Sequence, residues 1–372
     1  MNPERILVVN AGSSSLKLRV LDRADEVVGS IDLPPPRGAE NAGEVGEAVA
    51  GLGQVDAVGH RIVHGGTAFL GPVRLEERVR TRIAALTSLA PLHQPKALTA
   101  LDAVTAALPS TPAVASFDTA FHASMPDAAS TYALPAPWRQ RWDLRRYGFH
   151  GLSHAYATRR AGEVLGVPIA DLRLVTCHLG AGASLAAVRG GRSVDTTMGF
   201  TPLEGLVMAT RSGSVDPGLV LWLADHVGMP PAELAATLEH RSGLLGLAGT
   251  SDMRAVLVGA EAGEPRMRLA LEVYLHRLRA SIAAMTASLG GLDAIVFTGG
   301  VGERSAPVRA MAADGLGYLG IAIDPARNAA DGDGDREIGA AGAAVRSLVI
   351  ASREDVQIAA EVRAVLAKEA GG

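Results

Sequence analysis

A single cysteine, Cys177, leaves no partner for an internal disulfide and points to a reducing compartment, the cytoplasm. No run of Lys or Arg occurs and the formal net charge is −4, which argues against a nucleic-acid partner. Although 48% of residues are hydrophobic, the apolar stretch Leu219–Leu223 falls far short of the roughly 20 residues that cross a bilayer. Charged Glu4 and Arg5 abut the first apolar segment, unlike a secretory signal. No Gly-Lys-Ser/Thr opens a helix, so there is no P-loop. His60/His64 and His150/His154 are each four apart, but neither pair has a carboxylate partner or a His-Glu-x-x-His frame, which disfavours zinc.

Glycine is in excess, at 43 of 372 residues, and clusters in a few loops. That pattern reads as tight backbone turns, and the length suggests two or three domains. The chain is organised around Leu7–Val20. A buried strand at Ile6–Val9 runs into the small-residue turn Asn10–Ser15. The strand that leaves it alternates Leu16, Leu18 and Val20 with Lys17 and Arg19. Backbone N–H groups in such a turn can approach an anion closely, with Ser13, Ser14 and Ser15 adding hydroxyls and Lys17 a charge. An ordinary hairpin turn uses the same residues, so this clip alone decides little.

A third strand at Glu26–Leu33 completes a meander. Further on, Leu172–His178, the turn Leu179–Ala183, Ser184–Arg189 and Arg192–Thr196 repeat that layout about 170 residues later, which predicts two related halves. Helices are expected at Asn41–Leu52, Glu76–Leu89, Lys96–Leu108, Gly151–Leu165, Pro217–Val227, Pro231–His240, Arg266–Leu289, Ala306–Ala313, Ala341–Leu348 and Arg353–Lys368. Additional strands are expected at Val55–Val63, Thr111–Asp118 and Leu292–Phe297, with an edge strand at Val349–Ser352. Ala123–Tyr147 reads as loop-rich, and Asn328–Arg336 as a polar surface loop.

Three Gly-rich turns come after strand ends: Asn10–Ser15, Gly180–Ser184 and Gly299–Gly302. Together they point to a nucleotide held between two lobes, with the hairpin turns on the phosphates and the third at the adenosine end. Arg61, His93, Asp118, His150 and Arg211 occupy loop positions nearby in the pattern. For His60, His64, His122 and His154 a satisfied, partly buried side chain is the simpler reading. Arginines beside phosphate clips suit phosphoryl transfer to an anionic acceptor, where catalysis is positioning and charge neutralisation. A carboxylate acceptor needs no general base. A hydroxyl acceptor does, and Asp118 would then serve.

The ordered motifs resemble the acetate kinase family, within the superfamily of acetate and sugar kinases, heat-shock ATPases and actin. They are Asn10–Lys17, His60–Gly66, Ala90–His93, Phe117–His122, Tyr147–His154, Met198–Arg211, Ser242–Gly246 and Phe297–Glu303, nearly end to end. The resemblance implies an α/β fold of two RNase-H-like (actin-like ATPase) lobes around a nucleotide-binding cleft. The first lobe would be residues 1–122 plus 356–372. The second, 123–355, would carry the nucleotide site and the interface of a homodimer.

The resemblance also implies roles. Asn10 and Glu354 would hold Mg²⁺, with Mn²⁺ as an alternative, and Asp118 would organise the metal and its neighbours. Arg61 and Arg211 would grip the acyl carboxylate and the transferring phosphoryl group, with His150 donating to that group and His93 nearby. Phosphates would meet Ser13, Ser15 and Lys17 on one side and His178, Leu179, Gly180, Ala181 and Gly182 on the other. Asp252, Met253, Arg254, Gly299, Gly300, Val301, Gly302 and Arg304 would line the adenosine end. Val63, Leu92, Phe149 and Pro202 would form a small apolar pocket for the acetate methyl. The implied reaction is reversible transfer of the ATP γ-phosphoryl group to acetate, giving acetyl phosphate and ADP. Propionate is an alternative acceptor, and an ATP-binding regulator on the same fold is a rival of another class. Ala181, Gln94, Ser214 and Arg304 depart from the family's usual residues.

Overall fold

The alternation at Leu16–Val20 builds an antiparallel meander at the start of a six-stranded sheet. In the computed structural model, which describes residues 3–12, 15–35, 42–91, 93–330 and 334–370, Leu16, Leu18 and Val20 are fully buried. Strand β1 (Ile6–Ala11) pairs antiparallel with β2 (Leu16–Leu21), and β2 with β3 (Val27–Leu33). On its other side β1 runs parallel to β4 (Ala57–Ile62). Beyond the two-residue β5 (Val73–Arg74) in sequence, β6 (Ala113–Phe117) runs parallel to β4 and antiparallel to β5. The spatial order is β3-β2-β1-β4-β6-β5.

The second sheet repeats this plan. A meander of β7 (Arg173–Leu179), β8 (Ala183–Arg189) and β9 (Arg192–Thr196) precedes β10 (Ala294–Thr298), β11 (Arg336–Glu337) and β12 (Arg346–Val349). Its order, β11-β12-β10-β7-β8-β9, is the first sheet's order read from the other edge. The parallel pairs also correspond: β7 with β10, and β10 with β12. The irregularities match as well, since the register shifts after the fifth residue of the second strand in each meander, at Val20 and at Ala187. A bulge there increases local twist in both meanders. The expected duplication is thus present strand for strand.

The chain divides into two compact units. One comprises Met1–Ala123, Phe149–Tyr156 and Arg353–Gly372. The other comprises Ser124–Gly148 and Ala157–Ser352. In the first unit, helix Gln94–Ala107 buries Ala97, Ala100, Leu101 and Val104 in the core shared with Ile62 and Ile83. The helix Glu354–Ala370 packs on the other face of the sheet, with Ile358, Ala359 and Val362 fully buried. Burial of each large aliphatic side chain contributes roughly 1.5–3 kcal/mol. Gly59 on β4 admits that helix, because a Cβ there would overlap Ile358 and lie 2.9 Å from Val362. Arg61, two residues along, shares Gly59's face of the pleat.

The helix expected at Ala341–Leu348 is absent. Gly342 adopts a positive φ of 79°, and Arg346–Val349 is strand β12, paired on both sides by β10 and β11, not the edge strand expected at Val349–Ser352. Local alanine content favours helix, but a two-sided ladder buried around Leu348 outweighs it. The segment expected as a loop at Asn328–Arg336 contributes to helix Pro325–Ala329 and to β11, with 331–333 outside the described residues. Ala123–Tyr147 contains two short helices, Asp127–Ser130 and Ala136–Trp142. Helices Gly243–Ala248 and Met253–Glu261 have no counterpart in the expectations from sequence.

Candidate active site

Parallel strands bring their carboxyl ends to one sheet edge, where open α/β sheets gather ligand-binding side chains. In the first unit this edge collects Asn10 near the end of β1, Arg61 near the end of β4 and Asp118 just after β6. The register holds them there, as Asp118 N donates to the Ile62 carbonyl at 3.0 Å. Glu354 joins from the first residue of the closing helix.

These four side chains form one network. Arg61 Nε donates to Asp118 Oδ1 at 3.0 Å and Nη2 to Oδ2 at 2.6 Å, while Nη1 donates to Asn10 Oδ1 at 3.0 Å. Asn10 Nδ2 donates to Glu354 Oε2 at 3.2 Å, and Arg61 Nη1 lies 3.8 Å from that carboxylate. Burial alone would lower the Arg61 pKa, but the Asp118 and Glu354 carboxylates outweigh it and hold the guanidinium firmly cationic. Three of the five donors of Arg61 are committed to protein groups, so at most two remain for a substrate anion.

His150 adopts a left-handed φ of 56°, which is strained for a residue with a Cβ. The next residues lock it there. Gly151 N donates to the Asp118 carbonyl at 2.8 Å, and a Cβ on Gly151 would collide with that carbonyl. His154 N donates to His150 O at 2.9 Å, opening the helix Gly151–Leu165. His93 sits at the N-cap of helix Gln94–Ala107. Gln94 is fully buried, with Nε2 donating to the carbonyls of His64 at 3.2 Å and Ile83 at 3.3 Å, so this departure acts as an internal bolt.

Of the expected acyl pocket, Val63 and Phe149 are buried in the first unit. The Phe149 ring packs edge-on to His64 at 5.4 Å, and its carbonyl lies 3.0 Å from His122 Nε2. Leu92 and Ser13 lie outside the described residues. Ser15 O accepts from Gly12 N at 2.9 Å, and Lys17 stands directly across from Asn10 in the hairpin register.

The second unit holds the remaining candidates. After His178 and Leu179 the loop is closed by Gly180 N donating to Gly182 O at 3.0 Å, and Ala181 O accepts from Ala209 N at 3.1 Å. The Ala181 departure therefore keeps a backbone role. Gly299 has φ 77°, and a Cβ there would come within 2.9 Å of Leu179 O, so only glycine lets the two turns close on each other. Gly180, Ala181, Asp252, Met253, Arg254, Gly300, Val301 and Arg304 line one cavity of about 650 Å³, together with Leu257, Val258 and Tyr274. Asp252 caps its helix by accepting from Arg254 N at 3.0 Å, which holds the carboxyl below its usual pKa.

Arg211 is largely buried, which lowers its pKa, while Glu239 at 4.0 Å partly offsets the effect. Its Nη1 donates to Pro202 O at 3.3 Å. Ser214 closes the base of this loop through reciprocal bonds with Gly205, each 3.0 Å. Two further residues, Arg309 and Asn328, carry no signal in the sequence. Arg309 is buried and donates to the carbonyls of Gly302 at 2.9 Å and Glu303 at 2.7 Å, and to Asn328 Oδ1 at 2.7 Å. It thereby fixes the end of the helix Gly299–Arg304 that borders the cavity. Burial, then Arg336, lower its pKa to about 10. No motif marks such a bolt, since the bonds depend on how distant carbonyls meet.

Among the described residues no group of three or more His, Cys, Asp or Glu forms a metal cage. Asn10 and Glu354 carry oxygens that suit a hard cation and Glu354 is partly exposed, while the Asn10 amide directs Nδ2 to Glu354 and Oδ1 to Arg61. Mg²⁺ commonly takes one or two protein oxygens and completes its shell with water and phosphate.

The acetokinase family profile matches residues 44–360. The chain is 51% identical over 317 residues to an acetate kinase of Synechococcus sp. (strain JA-2-3B'a(2-13)), covering 85% of this chain and 78% of the relative. It is 44% identical to the acetate kinase of Deinococcus deserti, covering 98% of each. Among solved structures it resembles Porphyromonas gingivalis acetate kinase, with a TM-score of 0.90, 33% identity and coverage of 98% and 100%. A propionate kinase from Francisella tularensis is similar at a TM-score of 0.89, 33% identity and coverage of 97% and 100%.

Proposed function

The chain belongs to the acetokinase family, and we propose that it is an acetate kinase, moving the γ-phosphoryl group of ATP to acetate to give acetyl phosphate and ADP. The observation that carries this reading is the convergence of eight nucleotide candidates on one cavity of about 650 Å³, beside a Gly-rich turn. In this reading Asp252, Arg254, Gly300, Val301 and Arg304 bind adenosine, and Gly180–Gly182 the phosphates. Arg211, whose Nη1 donates to the Pro202 carbonyl, is the second unit's candidate to grip the acid and the migrating group, and Arg61 and His150 are the first unit's. His93, Val63 and Phe149 are the first unit's candidates for the acyl group, and Pro202 is the second unit's.

A carboxylate acceptor is ionised at neutral pH, so transfer is direct and in line, with no base and no phosphoenzyme. Asn10 and Glu354 would hold Mg²⁺, which supplies charge neutralisation on the phosphate oxygens. Asp118 acts through Arg61, orienting its fork. The exposed apolar side chains Leu219, Leu221 and Trp222 on helix Pro217–Asp225 support a homodimer. The free, buried Cys177 supports residence in the reducing cytoplasm. Among the described residues no helix is long and apolar enough to cross a membrane.

An acyl-phosphate trap tests the reading. Protein, MgATP and hydroxylamine are incubated with acetate, propionate, butyrate or glycerol. Hydroxamate formed fastest with acetate is expected. A best rate with propionate would make the chain a propionate kinase, an alternative supported by the likeness to the Francisella tularensis enzyme. ADP release with glycerol and no hydroxamate would overturn the carboxylate reading, and tight ATP binding without turnover would favour a regulator.

A further inference from the structure

Inside the second unit, two tracts far apart in sequence are tied together by Tyr132, Arg146 and Glu204. Tyr132 OH donates to Glu204 Oε2 at 2.6 Å, and Arg146 Nη2 donates to Glu204 Oε1 at 2.7 Å. Both oxygens of one carboxylate are therefore engaged. Arg146 Nη1 also donates to the carbonyls of Thr197 at 3.1 Å and Met198 at 3.0 Å, and its guanidinium lies 5.6 Å from the Tyr132 ring centroid. The Tyr132 oxygen accepts from Phe200 N at 2.9 Å, and the Gly199 carbonyl accepts from Tyr147 N at 3.0 Å. One backbone group in each of residues 197–200 is fixed this way. Gly199 makes the packing feasible, because a Cβ there would overlap the Glu204 carboxylate and the Tyr132 hydroxyl.

We propose that Tyr132, Glu204 and Arg146 are positioning residues that set the Pro202 turn and, through its carbonyl, the aim of Arg211 at the acid substrate. The assignment rests on the acid-kinase reading above. The turn between Phe200 and Glu204 is held at both ends, by the Tyr132 oxygen at one and the Glu204 carboxylate at the other. Pro202 stands between these anchors and presents the carbonyl that takes Arg211 Nη1. Glu204 directly precedes Gly205, whose reciprocal bonds with Ser214 close the loop bearing Arg211. Charge-assisted bonds to a carboxylate are short and directional, which suits them to fixing an angle. Burial, then the Glu204 carboxylate, raise the Tyr132 pKa well above its ordinary value, so the hydroxyl remains a donor throughout the working pH range.

Tyr132→Phe removes one hydroxyl and keeps the ring, and Glu204→Gln keeps the shape while removing the charge. Thermal unfolding identifies variants that have folded. Each is expected to raise KM for acetate about tenfold and to lower kcat, a modest share of the ~10²-fold that a 1 Å misplacement can cost. KM for MgATP should stay within about twofold, because the adenosine cavity is lined by other residues. The double variant should be no worse than the more severe single one, as members of one network are not additive. Acetate KM unchanged in both folded variants, or acetate and MgATP KM rising together, would overturn the positioning role and leave the network as scaffolding. No hydroxamate from the parent protein would instead overturn the acid-kinase reading and this assignment with it.

Discussion

Arg61 meets Asp118 through both carboxylate oxygens, at 3.0 and 2.6 Å, and the Asp118 side chain is only 1% exposed. The pair fixes the plane of the guanidinium, so that Nη1 faces Asn10 and Glu354. Asp118→Asn removes the charge and one acceptor and leaves a buried arginine poorly matched. We expect a loss of roughly 3–5 kcal/mol in denaturant unfolding, as for other broken buried pairs. We also expect kcat to fall at least ~10²-fold. Wild-type kcat in a folded variant would show that the orientation of Arg61 is unimportant.

Arg211→Ala should lower kcat by roughly 10³-fold if the guanidinium clamps the moving phosphoryl group as other arginines do. Steady-state turnover with saturating acetate and MgATP reads this directly. Turnover near the parent's would remove Arg211 from the chemistry.

Val63 is 6% exposed and directly precedes His64, whose ring packs against Phe149. Val63→Ala should open room for one more methylene and shift kcat/KM toward propionate by about tenfold, since a methylene is worth only ~1–3 kcal/mol in such a pocket. An unchanged propionate-to-acetate ratio would take Val63 out of the pocket.

His60 and His122 are both pushed down to about 4 from 6.5 by burial. Below pH 6.5 the unfolded chain takes up a proton at each, and the native chain does so only near 4. Stability is therefore complete above about pH 6.5 and is lost progressively as the pH falls toward 4, by up to roughly 3 kcal/mol per histidine. His60 Nε2 is buried without a hydrogen-bond partner, so His60→Leu should cost little at pH 7 and should flatten the acid slope. Urea midpoints at pH 7 and pH 5 measure both effects, and an unchanged slope would refute the assignment.

Gly59→Ala forces a methyl into Ile358 and Val362. Overpacking of this kind typically costs about 1–3 kcal/mol. Pairing it with Ile358→Ala should recover part of the loss in thermal unfolding. A single variant as stable as the parent would mean that the closing helix can shift without penalty.

Gly151–Leu165, Pro231–His240 and Arg192–Thr196 form over the residues expected, because period and boundary residues agree there. The strands β5 and β11 are two residues long and carry no period to read. For β12, alanine content points to helix while pairing with β10 and β11 decides otherwise. Of the candidate site, the sequence pattern reaches contiguous turns, and those at Gly180 and Gly300 line a shared cavity. The site is not legible where side chains far apart in sequence meet. Tyr132 finds Glu204 across 72 residues, and Arg309 finds Asn328 across 19, without any local pattern to announce them.

Asn10 and Glu354 lie 344 residues apart in the chain, yet touch at 3.2 Å. On the ribosome the second is made 344 residues after the first. The helix begun by Glu354 also supplies Ile358 and Val362 to the sheet that the earliest strands start. A nascent polypeptide therefore carries a first sheet with one face uncovered until the helix begun by Glu354 has been made. The acidic partner of Asn10 arrives together with the cover. A product that stops before Glu354 cannot present this pair, so it lacks the pair outright and does not hold it half assembled.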